Sequence, residues 1–209
     1  MMPIGVLAMQ GGFEAHAVRL SAMGHAVREV RSTDDLARVR GLVLPGGESS
    51  VQWKLMEAAK LIGPIRAFAE AGHPILATCA GLILASHAAY RSCESLELRS
   101  EPLRGEPWGL DLIDVDVLRN AYGRQLDSFE GRDDDDEYEL VFIRAPRIVR
   151  VGPDVKVLAR SKGEPVLVRQ GAIVAAAFHP ELSEDRSIHR LAFGASTIAT
   201  RSPSSRYVH

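Results

Sequence analysis

Cysteine is almost missing from this chain: Cys79 and Cys93 are the two in 209 residues. That leaves no disulfide framework to build, and both thiols are expected free in a reducing cytoplasm. An excess of one charge is missing too. Lys and Arg total 25 against 27 Asp and Glu, a formal net charge of −2, so no field draws a polyanion and nucleic-acid binding is not expected. No apolar run approaches the roughly 20 residues that span a bilayer, so no membrane partner is expected. The opening "MMPIGVLAMQGG" lacks a basic segment ahead of its short apolar run, which reads as a first strand rather than a signal peptide. Internal repeats and linkers are also absent. What is present is an ordinary globular composition, 46% hydrophobic and 25% charged. One compact domain is expected over residues 1–200, with a frayed polar tail at 201–209.

The first half alternates short apolar runs with helical spacing. "IGVLAM" (4–9), "AVREV" (26–30), "GLVLP" (41–45) and "PILAT" (74–78) read as strands. A helix over 12–23 should place Phe13, Val18, Leu20 and Met23 on one side. Further helices are expected near "DDLARV", through Trp53, Leu55 and Met56, and after Pro64. This alternation indicates βαβ units and a parallel sheet. The second half is strand-rich, through "LDLIDVDVL" (110–118), "YELVFIRAP", "VKVLAR", "PVLVRQ" and "IVAAAF". A last helix is expected from Ser183, with Glu184 and Asp185 in its first turn.

Three segments could carry chemistry. In "PILATCAGLIL", Cys79 stands where a strand turns into a helix, with the small residues Ala77, Ala80 and Gly81 around it. Such a turn exposes a nucleophile beside unpaired helical N–H groups, which favour a thiolate. Free cysteine is also among the most buried residue types, so a packed thiol and a nucleophile both stay open on this stretch alone. In "AFHPELSED", His179 and Glu181 lie two apart across Pro180, the spacing that puts both on one side of an extended segment. A histidine oriented by a carboxylate is the base half of a triad, and a surface turn is the bland alternative. The glycines of "LVLPGGESS" suit backbone donors to an oxyanion, since neither this loop nor "MQGG" fits a nucleotide-binding fingerprint. The run "RDDDDEYE" (132–139) lacks the spacing of a calcium loop and reads as solvated. His16, His25, His73, His87, His189 and His209 form no ligand spacing and are expected at the surface or locally satisfied.

Together these segments resemble class I glutamine amidotransferases. Within that group the chain is similar to the glutaminase subunits of two-component pyridoxal 5′-phosphate synthases, over roughly residues 4–194. The matching pieces are "GVLAMQG", "LVLPGGESS", "TCAGLIL", "RNAYGRQLDSFE" (119–130), "VFIRAP" (141–146) and "FHPELSED" (178–185). The "RNAYGRQLDSFE" and "VFIRAP" pair is specific to the vitamin B6 branch. The resemblance implies an α/β fold: a three-layer, flavodoxin-like sandwich around a mostly parallel central sheet, with an antiparallel extension. It implies Cys79 as nucleophile, His179 as general base and acid, and Glu181 as orienting carboxylate. Gly47, Glu48, Ser49, Arg119, Ile143 and Arg144 would hold glutamine, and the N–H groups of Gly47 and Ala80 would form the oxyanion hole. Departures are small: Ala77 stands at a usual glycine and Tyr122 at a usual phenylalanine.

The activity so implied is hydrolysis of L-glutamine to glutamate and ammonia, without metal or cofactor. The ammonia would pass to a synthase (lyase) subunit in a large hetero-oligomer, and the glutaminase would stay quiescent until docked. Two alternatives share some of these features. The glutaminase of imidazole glycerol phosphate synthase would use the same triad with another acceptor. A catalytically silent regulatory subunit would normally lack one of the three triad residues.

Overall fold

The computed structural model describes residues 2–91, 109–119 and 128–194. Cys93, Tyr122, Ala195, His209, most of "SCESLELRSEPLRGEPWG" and the polar tail lie outside them. The first half follows the alternation of the sequence: β1 (Ile4–Leu7), α1 (Phe13–Ala22), β2 (Val27–Val30), α2 (Thr33–Leu36), β3 (Gly41–Leu44), α3 (Ser49–Ala58), α4 (Ile62–Glu70), β4 (Ile75–Thr78) and α5 (Ala80–Ala85). Then come β5 (Ser86–Arg91), β6 (Ile113–Arg119), β7 (Ser128–Arg132), β8 (Glu139–Ile143), β9 (Arg147–Val151), β10 (Lys156–Ser161), β11 (Glu164–Gln170) and β12 (Ile173–Ala176). A single 3-10 turn at Pro180–Leu182 leads to α6 (Ser187–Phe193).

Seven strands form the main sheet in the order β10-β11-β12-β4-β3-β1-β2. The five strands from β12 to β2 run parallel, and β10 and β11 add antiparallel at one edge. Strands β1, β3, β4 and β12 are buried at every position, which is why they read as unbroken apolar runs. Right-handed crossovers place α1 on one face and α2 to α5 on the other. His16 of α1 touches His189 of α6, so α6 shares the face of α1. The order 2-1-3-4 reverses direction between β1 and β3, and the crevice at the carboxyl ends of those strands is where such sheets bind ligands. Strands β5, β6 and β9 make a smaller sheet, and β7 pairs antiparallel with β8.

Several expectations are corrected. Val18 is 64% exposed, while α1 buries His16 and Leu20. Four residues separate that pair by about 40° around the helix, and Val18 lies about half a turn away. Helix α6 begins at Ser187 rather than Ser183. The Asp185 carboxylate accepts from the Ser187 N–H at 2.8 Å and from its hydroxyl at 2.7 Å, so it caps the helix from outside. Helix α4 starts two residues before Pro64, where proline needs no intrahelical acceptor. The acidic run is a folded turn, not merely a solvated loop. Buried Asp133 accepts the N–H groups of Glu137 and Tyr138 at 2.7 and 2.6 Å, and Asp134 accepts those of Lys162 and Gly163, each at 2.7 Å.

Candidate active site

The segments singled out by sequence converge at the ends of β1, β3, β4 and β12. Cys79 follows β4 directly and has φ 48° and ψ −103°, a conformation a side chain rarely adopts. Its N–H donates to Ala176 of β12 at 2.9 Å, and its carbonyl accepts from Ile83 at 3.2 Å, which pins both sides of the turn. A Cβ on Gly81 would stand 1.9 Å from the Leu44 carbonyl oxygen, so α5 packs onto β3 with no room for a side chain there. Ala77, in register with Leu44 and Ala175, is fully buried in the strand before the turn. Cys79 itself is 6% exposed, and its sulfur lies 3.9 Å from the Ile143 carbonyl oxygen.

His179 reaches the same place from β12. Its N–H donates to Val141 of β8 at 2.8 Å, and its Nδ1 lies 2.7 Å from Glu181 Oε1. Sequence reasoning expected an extended segment here. The chain instead folds into the 3-10 turn from Pro180, and the turn brings carboxylate and ring together. Glu181 is 3% exposed. Behind it, His16 Nε2 lies 3.2 Å from Glu181 Oε2, too oblique for a regular hydrogen bond, and 3.1 Å from Thr78 Oγ1. Burial works against a charge on His179, but the hydrogen bonds and charges of Cys79 and Glu181 outweigh it and carry its pKa up to about 10. Burial likewise opposes ionisation of Glu181, and the two imidazoles His16 and His179 overcome it, holding the carboxyl well below the usual range.

The "GGESS" loop forms the floor beside them. A Cβ on Gly46 would meet His179 Cε1 at 2.5 Å, so only glycine lets the ring lie against this loop. Gln10 and Gln52 hold the loop in place. The Gln10 side-chain oxygen accepts the Glu48 N–H at 2.8 Å, and Gln52 Nε2 donates to the carbonyls of Gln10 and Pro45 at 2.8 and 3.2 Å. Across the opening, Arg119 Nη2 lies 3.1 Å from Glu48 Oε1 and 3.3 Å from Ser50 Oγ. Arg144, like Cys79, has a positive φ of 44°. The resulting cleft of about 260 Å³ is lined by every residue proposed from sequence except Glu181, which stands behind His179. Gln10 and Ile83 also line it and were missed. So were the places of His16 and His189, expected at the surface or locally satisfied: both are fully buried, and His16 is hydrogen-bonded to His189 and Thr78. The spacing of His16 and Leu20 on one helical face is the signal that pointed to the first.

The depressed Glu181 carboxyl has a consequence for acid stability. Its stabilising contribution is complete above the ordinary value of 4.5 and is lost as pH falls toward its lower folded value. Urea midpoints measured between about pH 7 and pH 3 should therefore fall more steeply for the wild type than for Glu181→Gln. Parallel curves would show that the buried carboxylate carries no such linkage.

Comparison with known proteins identifies the family. A profile of the SNO glutamine amidotransferase family matches residues 6–193. The chain is 44% identical over 194 residues to the pyridoxal 5′-phosphate synthase subunit PdxT of Shouchella clausii, covering 90% of this chain and 92% of that one. It is 44% identical over 197 residues to the PdxT subunit of Deinococcus radiodurans, covering 92% and 96%. A crystal structure described as a glutamine amidotransferase superposes with a TM-score of 0.79 at 37% identity, over 90% of this chain and 96% of that one. With the match running through both the Cys79 turn and the His179 segment, this chain belongs to the SNO glutamine amidotransferase family.

Proposed function

We propose that this chain is a glutaminase that works through Cys79, His179 and Glu181 and supplies ammonia to a synthase subunit making pyridoxal 5′-phosphate. Residues 1–200 would act as one cytoplasmic glutaminase domain, docked in a large hetero-oligomer and needing no cofactor. The observation that carries this is the meeting of the strained Cys79 turn with the 2.7 Å His179–Glu181 pair on one cleft. The vitamin B6 acceptor is supported by the relatives, which are named as pyridoxal 5′-phosphate synthase subunits.

With its pKa at about 10, His179 holds a proton at neutral pH, beside Cys79. The thiolate sulfur attacks the carboxamide carbon of glutamine, and the carbonyl π electrons move onto oxygen. The N–H groups of Gly47 and Ala80 stabilise that oxyanion, a contribution of about 10²–10³ in rate per donor. Collapse breaks the C–N bond, His179 protonates the departing nitrogen, and ammonia leaves a thioester on Cys79. His179, now neutral, takes a proton from water as the water attacks the thioester. Glutamate departs, and the thiolate–imidazolium pair is restored. Glu181 keeps the ring turned so that Nε2 faces the reacting atoms.

Glutamine carries an α-carboxylate and an α-ammonium, and the cleft offers Arg119 and Glu48 side by side. The arginine fork suits the carboxylate, and Glu48 suits the ammonium. Arg119→Ala is expected to raise KM for glutamine about 10–100-fold with a smaller change in kcat, as loss of a charged hydrogen bond predicts. A kcat loss at unchanged KM would assign Arg119 elsewhere. The reading as a whole is tested with a chloroketone analogue of glutamine, incubated with the chain and its synthase subunit. Mass added at Cys79, blocked by glutamine, is expected together with ammonia release. Labelling at another residue, or none, would count against it.

A further inference from the structure

Two buried histidines take no part in the steps above. His16 and His189 have 0% exposure, and His16 Nδ1 lies 2.9 Å from His189 Nε2. The Glu181 oxygen not bonded to His179 faces His16 Nε2, at 3.2 Å. A line of side chains therefore runs from the cleft inward: His179, Glu181, His16, His189. It joins the turn after β12 to α1 and then to α6.

Counting protons fixes how this line is wired. A contact between two ring nitrogens holds one proton, since two N–H groups collide and two lone pairs repel. His189 is kept neutral. Burial above all pushes its pKa down to about 3. Its Nδ1 is buried and has no hydrogen-bond partner among the described residues. A bare ring nitrogen is easier to bury than an N–H without an acceptor. The shared proton therefore sits on His189 Nε2 and points at His16 Nδ1. That leaves the proton of His16 on Nε2, where it faces Glu181 and Thr78.

We propose that His16 is a positioning residue of the triad, setting an Nε2–H that is hydrogen-bonded to Thr78 in close electrostatic contact with the second oxygen of Glu181, and that His189 fixes the tautomer in which it can do so. The inference rests on the glutaminase reading above. Its effect is to keep Glu181 ionised and turned toward His179, which in turn sustains the charged pair with Cys79. Packing alone would ask only for shape: the two rings lie 5.2 Å apart at 59°, an arrangement that any pair of flat apolar side chains could fill. Other charged groups face the same spot. Arg19 of α1 donates to the Glu181 carbonyl at 3.1 Å, and Asp185 lies ahead of α6. Both are retained in every variant below.

The test uses the full chain and two readouts. The first is alkylation of Cys79 by iodoacetamide between about pH 4 and pH 8, followed on the Cys79 peptide by mass spectrometry, which needs no turnover. The second is kcat and KM for glutamine with the synthase subunit present. His16→Leu is expected to move the acid limb of alkylation up by about one pH unit and to lower kcat about 10–100-fold, with KM changing under about threefold. His16→Gln places an amide N–H near the position of Nε2 and should stay within about fivefold of wild type. His189→Leu leaves His16 in place without its tautomer lock and should fall between them.

Unshifted profiles in both leucine variants overturn the proposal, as does a His16→Gln variant no better than His16→Leu. Near-UV circular dichroism reveals whether His16→Leu has folded. If it has not, His189→Leu against His16→Gln decides: a shift in the first alone supports the proposal, and no shift in the first overturns it. A wild type that alkylates like a simple thiol, indifferent to His179→Asn, would fail the glutaminase reading itself. That outcome is visible before any His16 variant is compared.

Discussion

Cys79→Ala should lower glutamine hydrolysis by about 10⁴-fold or more, measured as ammonia release with the synthase subunit present, while leaving the fold intact. The loss follows because a thioester needs a sulfur, and among the described residues Cys79 is the only thiol lining the cleft. What survives would come from backbone donors acting on bound water. Stability should move differently. The alanine keeps a Cβ at φ 48°, where a side chain costs about 1–3 kcal/mol. Cys79→Gly removes that Cβ and, against an entropic cost of about 0.5–1 kcal/mol, should melt about 2–4 °C above Cys79→Ala. Both variants are expected to be inactive. Turnover preserved in either would remove Cys79 from the chemistry, and equal melting temperatures would show that the turn stores no strain.

Gly81→Ala is expected to be strongly destabilising. The added carbon would lie 1.9 Å from the Leu44 carbonyl oxygen and 2.6 Å from its carbon. Both belong to the backbone of a fully buried central strand, which cannot swing aside as a side-chain tip could. Alanine gains about 1 kcal/mol of helix propensity over glycine, far less than the overlap costs. A destabilisation of at least about 3 kcal/mol is expected, with a fall in melting temperature of at least about 6 °C. Because α5 starts one residue before Gly81, the helix must shift and carry the Cys79 turn with it. A thermal scan within one or two degrees of wild type would mean that the close approach of α5 to β3 is not maintained in solution.

These features were unequally visible in the sequence. The central strands are buried on both faces, so "GLVL" and "ILAT" stand out as apolar runs with punctuation at each end. The cleft residues follow directly on those strands, and for that reason Cys79, the "GGESS" loop and His179 could be placed before any coordinates. Strands β5, β7 and β9 left no comparable trace, because they belong to small sheets, and β9 mixes exposed charges with few buried apolar positions. Gln10 and Gln52 act through contacts to backbone atoms of a loop about 40 residues away from Gln10 in sequence, and no local pattern marks them. His16 and His189 are 173 residues apart and meet only across the face where α1 and α6 lie together. The flank of α6 was misjudged for a related reason: a carboxylate in a cap and one in a first turn look alike until the backbone is known.

The position of β12 has a consequence for how the protein is made. It is the last strand among the described residues, yet it is inserted between β11 and β4, and it supplies the carbonyl of Ala176 that holds the Cys79 N–H. Until residues 173–176 have left the ribosome, β4 has one open edge and the turn at Cys79 lacks its anchor. A nascent chain thus carries Cys79 long before it possesses His179, the imidazole proposed to activate it. On the proposed reading, a translation product abandoned before residue 179 would be chemically silent.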